Sequence, residues 1–375
     1  MKLFDVYPLY NITPVNAKGI HVYDEKGTEY LDLYGGHAVI SIGHSHPYYV
    51  KSIQDQVAKL GFYSNAIQNP LQEELAQKLG ELSGCVDYNL FLCNSGAEAN
   101  ENALKVASFV TNKSRVIAFK NSFHGRTSAA VAATDNPKIN APLNQQQEVT
   151  FIELGDLETV KSELQKGGVC TVIIEFIQGV GGLDESTQEF YEQLSNLCKK
   201  HDAFLIADEV QSGYGRTGDF FAFQKYNVTP DIISIAKGMG NGFPIGGILL
   251  HPNIEAKHGM LGTTFGGNHL ACSAGIAVLN VLKDESLIQN AKKTGALLSE
   301  ELKAIPQVKK LKGRGLMLGL EFDFPIKELR SKLLFEDQIF TGSTSNPNLL
   351  RILPPLCITI DDFKPFVEAL KKHLS

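Results

Sequence analysis

The chain lacks several features that would assign it to a common class of protein. It has no apolar run approaching the ~18 residues that a membrane-spanning helix requires, and its first residues lack the long apolar stretch of a signal peptide. Its 35 basic and 41 acidic residues are interspersed, with a net charge of −6 and no basic stripe. These absences argue against a membrane or nucleic acid as a partner, and we expect a soluble cytoplasmic protein.

Motifs for metals and nucleotides are missing as well. No C-x-x-C pair occurs, so neither a zinc site nor a disulfide framework is indicated, and we expect buried thiols in a reducing compartment. His44 and His46 have an H-x-H spacing but lack further ligands, so we expect no metal. No G-x-x-x-x-G-K-[ST] is present, and Gly238–Phe243 lacks the last glycine of G-x-G-x-x-G. The sequence therefore disfavours an NTPase or a dehydrogenase. The scattered cysteines are Cys85, Cys93, Cys170, Cys198, Cys272 and Cys357.

What the chain does have is an alternation of short apolar runs and helical patterns from about Pro47 onwards. This pattern predicts the α/β class, with a mostly parallel sheet of about seven strands flanked by helices. The predicted strands cover 90–92, 116–119, 149–152, 172–175, 204–207, 232–236 and 247–250.

The two ends of the chain have a different pattern. Ile20–Tyr23 and Thr28–Leu33 predict a hairpin around Asp24–Gly27, and a long helical pattern from about Ala271 to Leu302 precedes two short strands and a C-terminal helix from Phe363. We expect the hairpin to pack with the C-terminal part as a smaller α+β domain built from both chain ends. The expected division is an N-terminal segment 1–46, a large cofactor-binding domain 47–270 and a small domain 271–375.

Asp208 and Lys237 each close an apolar run, and they carry opposite charges. In an open parallel sheet, ligands lie beyond the carboxyl ends of the strands. An acid and an amine placed there are typical of pyridoxal phosphate: the lysine bonds to the cofactor and the aspartate keeps its ring nitrogen protonated. Glycines 238, 240 and 242 would allow the backbone a close approach. A simple ion pair at the strand ends is the alternative.

Two further segments follow predicted strands. Ser95, Gly96 and Ala97 open a helix, where a hydroxyl and backbone amides can bind a phosphate, although Ser95 and Glu98 also fit an ordinary capping box. Phe123 could stack on a pyridine ring, and Arg126 could hold a carboxylate through two hydrogen bonds. Taken alone, Phe123 would be a core residue and Arg126 would form a surface ion pair.

Six motifs together resemble the class III aminotransferases, most closely the acetylornithine aminotransferases, in the family's order and near its spacings. Ornithine and 4-aminobutyrate aminotransferases are relatives. The resemblance implies the fold-type I architecture of pyridoxal-phosphate-dependent transferases and a homodimer with shared active sites. The motifs are Gly43–Pro47, Asn94–Asn100, Phe123–Thr127, Asp208–Gly218, Ala236–Gly238 and Thr263–Asn268.

The resemblance also implies a role for individual residues around the cofactor. Lys237 would bond to the cofactor and then move the substrate proton, and Asp208 would pair with the ring nitrogen. Val210 and Gln211 would contact one face and the edge of the ring, and Phe123 the other face. Gly96 and Ala97, with Ser95, would bind the phosphate together with Thr264 of the partner subunit.

For the substrates, the resemblance implies that Arg126, near Thr263, binds a carboxylate of the acylated ornithine. Arg351 matches the arginine that binds the α-carboxylate of glutamate and 2-oxoglutarate. Val180 departs from the family pattern, because relatives carry a glutamate there that pairs with this arginine. His37 is a second departure, because ornithine aminotransferases carry a tyrosine at that position and acetylornithine enzymes usually an aliphatic residue.

The expected reaction moves the δ-amino group of an N²-acylated ornithine to 2-oxoglutarate, and it runs backwards in arginine biosynthesis. The acyl group, acetyl or succinyl, stays open. Ornithine or 4-aminobutyrate as the donor is a second enzymatic hypothesis. A regulatory or carrier protein that binds the cofactor without turnover is a third, disfavoured because Asp208, Gln211 and Lys237 are all present.

Overall fold

The computed structural model describes residues 1–375 and contains fifteen strands in three sheets. The strands are β1 Pro14–Lys18, β2 His21–Asp24, β3 Glu29–Asp32, β4 Asn89–Cys93, β5 Arg115–Phe119, β6 Val149–Ile152, β7 Val169–Ile174, β8 Phe204–Asp208, β9 Ile232–Ile235, β10 Gly246–Leu250, β11 Lys310–Arg314, β12 Met317–Glu321, β13 Ile339–Phe340, β14 Gly342–Ser343 and β15 Leu349–Ile352.

Eleven α-helices connect or cover these strands. None of them has both the length and the apolar character that crossing a membrane requires. The helices are α1 Gly35–Ala38, α2 Pro47–Lys59, α3 Pro70–Ser83, α4 Gly96–Thr111, α5 Ser128–Ala132, α6 Leu157–Gln165, α7 Gln188–Lys200, α8 His269–Asp284, α9 Leu287–Lys303, α10 Lys327–Phe335 and α11 Lys364–Leu374, with short 3₁₀ segments at Pro137–Ile139, Ala222–Lys225, Lys237–Met239 and Asp361–Phe363.

The seven-stranded sheet has the order β4-β10-β9-β8-β7-β5-β6 and contains all seven strands expected from the sequence. Its neighbours pair in parallel from β9 to β6, whereas β10 runs antiparallel to both β4 and β9. The predicted fold class, a mostly parallel sheet flanked by helices, is therefore confirmed.

Apolar side chains cover both faces of this sheet, which explains the nearly continuous apolar runs of its strands. In β7, Val172 and Ile174 point into the larger core cluster, and Ile173 points to the opposite face. There Ile173 shares a second cluster with Ala103 and Ala107 of α4. Helix α4 thus packs on the sheet and brings its N-terminus to the edge where the parallel strands end.

The other two sheets are smaller and have four strands each. β2 and β3 pair antiparallel, which confirms the predicted hairpin, and β13 adds in parallel to β3, so that both ends of the chain share a sheet. β11, β12, β15 and β14 form the third sheet, entirely antiparallel. The division at residues 46 and 270 stays a prediction.

Two expectations were wrong in detail. The long helix from Ala271 to Leu302 is two helices, α8 and α9, because Ser286 adopts a left-handed backbone conformation with φ +52°. Serine competes for backbone hydrogen bonds within helices and favours their ends. The cysteines are not all buried, since Cys85 and Cys357 are partly exposed; all six are free thiols.

Neighbouring leucines of α9 provide a matched test of the core. Leu298 is fully buried in the larger cluster, whereas Leu297 is 46% exposed. Leu298→Ala should lower the free energy of unfolding by about 2–5 kcal/mol through lost burial and a cavity, and Leu297→Ala by less than about 1 kcal/mol. Guanidinium unfolding followed by circular dichroism measures both. Equal effects would show that α9 does not pack as described.

Candidate functional site

A cavity of about 320 Å³ lies at the edge where the parallel strands end. Segments that follow β4, β5, β7, β8 and β9 line it, as expected for an open parallel sheet. The connection before β10 completes the wall with Phe243, Pro244 and Ile245. The structure thus brings together nine of the predicted site residues: Ser95, Gly96, Ala97, Phe123, Arg126, Asp208, Val210, Gln211 and Lys237.

The Asp208 carboxylate at the end of β8 is 4% exposed and accepts three hydrogen bonds. Asn100 Nδ2 and His124 Nδ1 each donate to Oδ2 over 2.7 Å, and the Val210 amide donates to Oδ1 over 3.0 Å. These contacts fix the orientation of the carboxylate, whose atoms also line the cavity.

Lys237 directly follows Ala236 at the end of β9 and adopts a left-handed conformation with φ +49°. Such a backbone costs free energy in a residue other than glycine, so the surrounding structure must hold it in place. The Lys237 amine makes no hydrogen bond or ion pair within the chain. Burial lowers its pKa to about 8, although the nearby Asp208 charge works in the opposite direction. With this pKa, about a tenth of the amine is uncharged at pH 7 and able to act as a nucleophile, far more than for an ordinary lysine.

The N-terminus of α4 fits an anion. Ser95 caps the helix by accepting a hydrogen bond from the Glu98 amide over 3.2 Å, which leaves its own O–H free to donate. Glu98 turns back to accept from the Asn94 amide over 2.6 Å, rather than from Ser95 as in the capping box we considered. The free amides and the helix dipole favour a negatively charged group here.

Close backbone packing requires glycine beside this helix end. A Cβ on Gly96 would lie 2.5 Å from a methyl carbon of Val210. At Gly125, where φ is +141°, a Cβ would lie 2.9 Å from that of Ala97. Glycine at these two positions therefore lets the segments that follow β5 and β8 pack directly against the start of α4.

Phe123 lies on the cavity wall and is linked to a residue that sequence reasoning did not assign. Its amide donates to Glu175 Oε1 over 2.9 Å, and the Gly179 amide donates to Oε2 over 2.8 Å. Glu175 is buried, and desolvation raises the pKa of its carboxyl to about 7. Glu175 thus ties the Phe123 loop to the segment that contains Val180.

Asn100 and His124 were also missed as site residues. Asn100 donates to Asp208 and accepts from the Ser234 hydroxyl over 2.5 Å, which connects α4, β8 and β9. A signal was present in the sequence, because Asn100 is a polar residue on the apolar face of α4 and such a residue needs a buried partner. The partner itself could not be identified without the fold.

The predicted substrate residues occupy different positions. Arg126 lines the cavity, is exposed and makes no ion pair or hydrogen bond within the chain, so its guanidinium is available to a ligand. Arg351 is 3% exposed and does not line the cavity; it contacts Gln211, which does. Thr263 and Thr264 lie outside the cavity of their own chain, and Thr264 is exposed.

The residues present fit pyridoxal phosphate. The cavity offers an anion site at the start of α4, a fixed carboxylate and an unpaired amine. Gly96 and Gly125 allow the segments around that anion site to pack closely against one another. The aromatic side chain of Phe123 and the aliphatic side chain of Val210 both line the cavity. Apolar side chains of this kind suit the two faces of a flat pyridine ring.

Comparison with known proteins gives consistent matches over the full chain. The family model for class-III aminotransferases matches residues 6–374. An acetylornithine aminotransferase of Bacillus subtilis is 38% identical, over 100% of this chain and 97% of its own, and one of Aquifex aeolicus is 39% identical over 99% of both. A solved ornithine aminotransferase of Toxoplasma gondii, with PLP in partial occupancy at its active site, is 30% identical, has a TM-score of 0.88 and covers 97% of this chain and 90% of its own.

Asp208→Asn should keep the cofactor bound but lower turnover by at least about tenfold, or about 1.4 kcal/mol of transition-state stabilisation. A neutral amide no longer favours a protonated ring nitrogen, whereas the phosphate site is untouched. Absorbance measures bound cofactor, and steady-state assays measure turnover. Asp87→Asn on the exposed surface is the control. A near-normal rate in Asp208→Asn would assign Asp208 a purely structural role.

Proposed function

The chain belongs to the class-III aminotransferases, and from that premise we propose that it moves the δ-amino group of an N²-acylated ornithine to 2-oxoglutarate. The observation that carries this proposal is its 36–39% identity to acetylornithine aminotransferases over at least 95% of its length. The fold is that of the fold-type I transferases, which use pyridoxal phosphate. In arginine biosynthesis the reaction would run towards the acylated ornithine.

The residues predicted for the site each have a role in this reaction. When bound, the cofactor supplies an electron sink for the carbon that loses its proton. Lys237 moves that proton, since its lowered pKa of about 8 makes a usable part of the amine uncharged near neutral pH. Asp208 holds a proton at the ring nitrogen, and Asn100 and His124 keep its carboxylate in position. Phe123 and Val210 confine the ring between them.

The anion sites bind the remaining charges. The Gly96 and Ala97 amides and the Ser95 hydroxyl hold the phosphate at the start of α4. Arg126 binds the α-carboxylate of the acylated ornithine, because it is on the cavity wall and has no competing partner in the chain. Acylation removes the α-ammonium charge that would otherwise lie beside this guanidinium, and this favours acylated over free ornithine.

We also propose a homodimer in which Thr264 of the partner subunit completes the phosphate site. Thr264 is exposed and lies outside the cavity of its own chain. Beside it, Phe265 is 59% exposed and contacts Phe62, itself 41% exposed, with ring centroids 5.2 Å apart. An exposed aromatic pair next to a polar ligand residue fits a subunit interface. The free cysteines support our assignment to the reducing cytoplasm.

A panel of donors tests the proposed substrate. With 2-oxoglutarate as acceptor, N-acetylornithine or N-succinylornithine should exceed ornithine and 4-aminobutyrate in kcat/KM by at least about tenfold, or about 1.4 kcal/mol. Arg126→Gln should remove most of this preference in kcat/KM for acylated ornithine. The variant should still transfer the amino group, because Lys237 is unchanged. Lys237→Ala is the inactive control. A higher kcat/KM for ornithine or 4-aminobutyrate would establish the second enzymatic hypothesis instead.

Mixing two inactive variants tests whether the subunits share the site. Thr264→Glu would repel the phosphate in the partner's site, and Lys237→Ala disables its own. A mixed dimer contains one site with both defects and one intact site, so random exchange of subunits should restore about a quarter of wild-type activity. Each variant alone, carried through the same exchange, is the control. No recovery in a mixture shown to contain mixed dimers would place Thr264 in its own chain's site, and a Thr264→Glu variant that is active alone would place it outside any site.

A further inference from the structure

A hydrogen bond between Arg351 and Gln211 joins the C-terminal sheet to the segment that follows Asp208. Arg351 lies in β15, between Gly319 of β12 and Gly342 of β14. Its Nη1 donates to Gln211 Oε1 over 3.1 Å and also to the carbonyl of Gly179. Gln211 lines the cavity and Arg351 does not, so the amide lies at the boundary between the cavity and the guanidinium.

Arg351 has only neutral hydrogen-bond partners. No carboxylate lies within 4 Å of its guanidinium, its Nε has no partner, and its side chain is almost fully buried. Burial of a cation without a paired carboxylate is costly, and here it lowers the Arg351 pKa, although the more distant Glu175 and the nearby Tyr34 work in the opposite direction. The guanidinium therefore retains a strong tendency to bind an anion.

The backbone fixes Gln211 in this position. A Cβ on Gly179 would lie 2.3 Å from Gln211 Oε1, so the amide fits only against a glycine. The next residue, Val180, lines the cavity with an apolar side chain that cannot accept a hydrogen bond. Among the side chains around Arg351, only Gln211 has both the contact and the access to the cavity.

We propose that Gln211 is a specificity-determining residue, whose neutral amide covers Arg351 until the α-carboxylate of glutamate or 2-oxoglutarate displaces it. The inference deepens the proposed function and rests on it for the identity of the acceptor. A carboxylate replaces the amide readily, because a charge-assisted hydrogen bond is about twice as strong as a neutral one. An amino donor whose carboxylate does not reach Arg351 leaves the Gln211 amide in place. The carboxylate of the amino acceptor thus competes for Arg351 with the uncharged amide of Gln211.

Two substitutions at Gln211 with opposite expected effects on carboxylate binding test this proposal. Glutarate, an unreactive dicarboxylate, is titrated by calorimetry into the cofactor-loaded protein and into the apoprotein. Gln211→Glu should weaken glutarate binding by at least about tenfold, because a carboxylate now pairs with Arg351. Gln211→Met, which keeps the size but removes the acceptor, should strengthen it by about twofold to tenfold. Absorbance confirms the cofactor content of each variant.

A double-mutant cycle separates this role from general damage. Arg351→Gln should abolish most glutarate binding, and in that background Gln211→Glu and Gln211→Met should have no further effect. The proposal is overturned if both Gln211 variants bind glutarate within twofold of the parent, if both weaken it alike, or if Arg351→Gln leaves it unchanged. These results do not depend on the amino donor, so they are distinguishable from a failure of the acylornithine assignment.

Discussion

The buried carboxylate of Asp208 is the constraint around which the site is organised. A charge removed from water at the end of a central strand is tolerated only when hydrogen bonds compensate it. Its donors come from α4, from the loop after β5 and from the chain just beyond β8, and Ser234 of β9 supports Asn100 in turn. The hydrogen bonds to this one carboxylate therefore fix the relative positions of the segments that surround the cavity.

Arg351 is a second buried charge and is accommodated in a different way. Asp208 accepts three hydrogen bonds from the chain, whereas Arg351 has an amide and a carbonyl as acceptors and an unpaired Nε. These hydrogen bonds hold the Asp208 carboxylate in one orientation. Arg351 is held by neutral partners, which is consistent with the exchange of partners that we propose for it. Glu175, whose pKa is raised by burial, connects the two regions through the amides of Phe123 and Gly179.

The sequence predicted most of the main sheet and the core of the site, because both follow local rules. Apolar runs mark the strands, and Asp208 and Lys237 were recognisable as charges at their ends. The break at Ser286 was missed because the apolar pattern of α8 continues in α9. The side-chain partners of Asp208 and Arg351 were missed because they lie 84, 108 and 140 residues away in sequence, and only the packed sheets bring them together.

The antiparallel placement of β10 couples the position of Lys237 to the shape of the cavity wall. Since β10 runs opposite to β9, the short connection between them begins with Lys237 and ends with Phe243, Pro244 and Ile245, all on the cavity wall. The nucleophile and this part of the wall are thus the two ends of one hairpin connection. An insertion there would therefore displace the Lys237 amine and this part of the cavity wall at once.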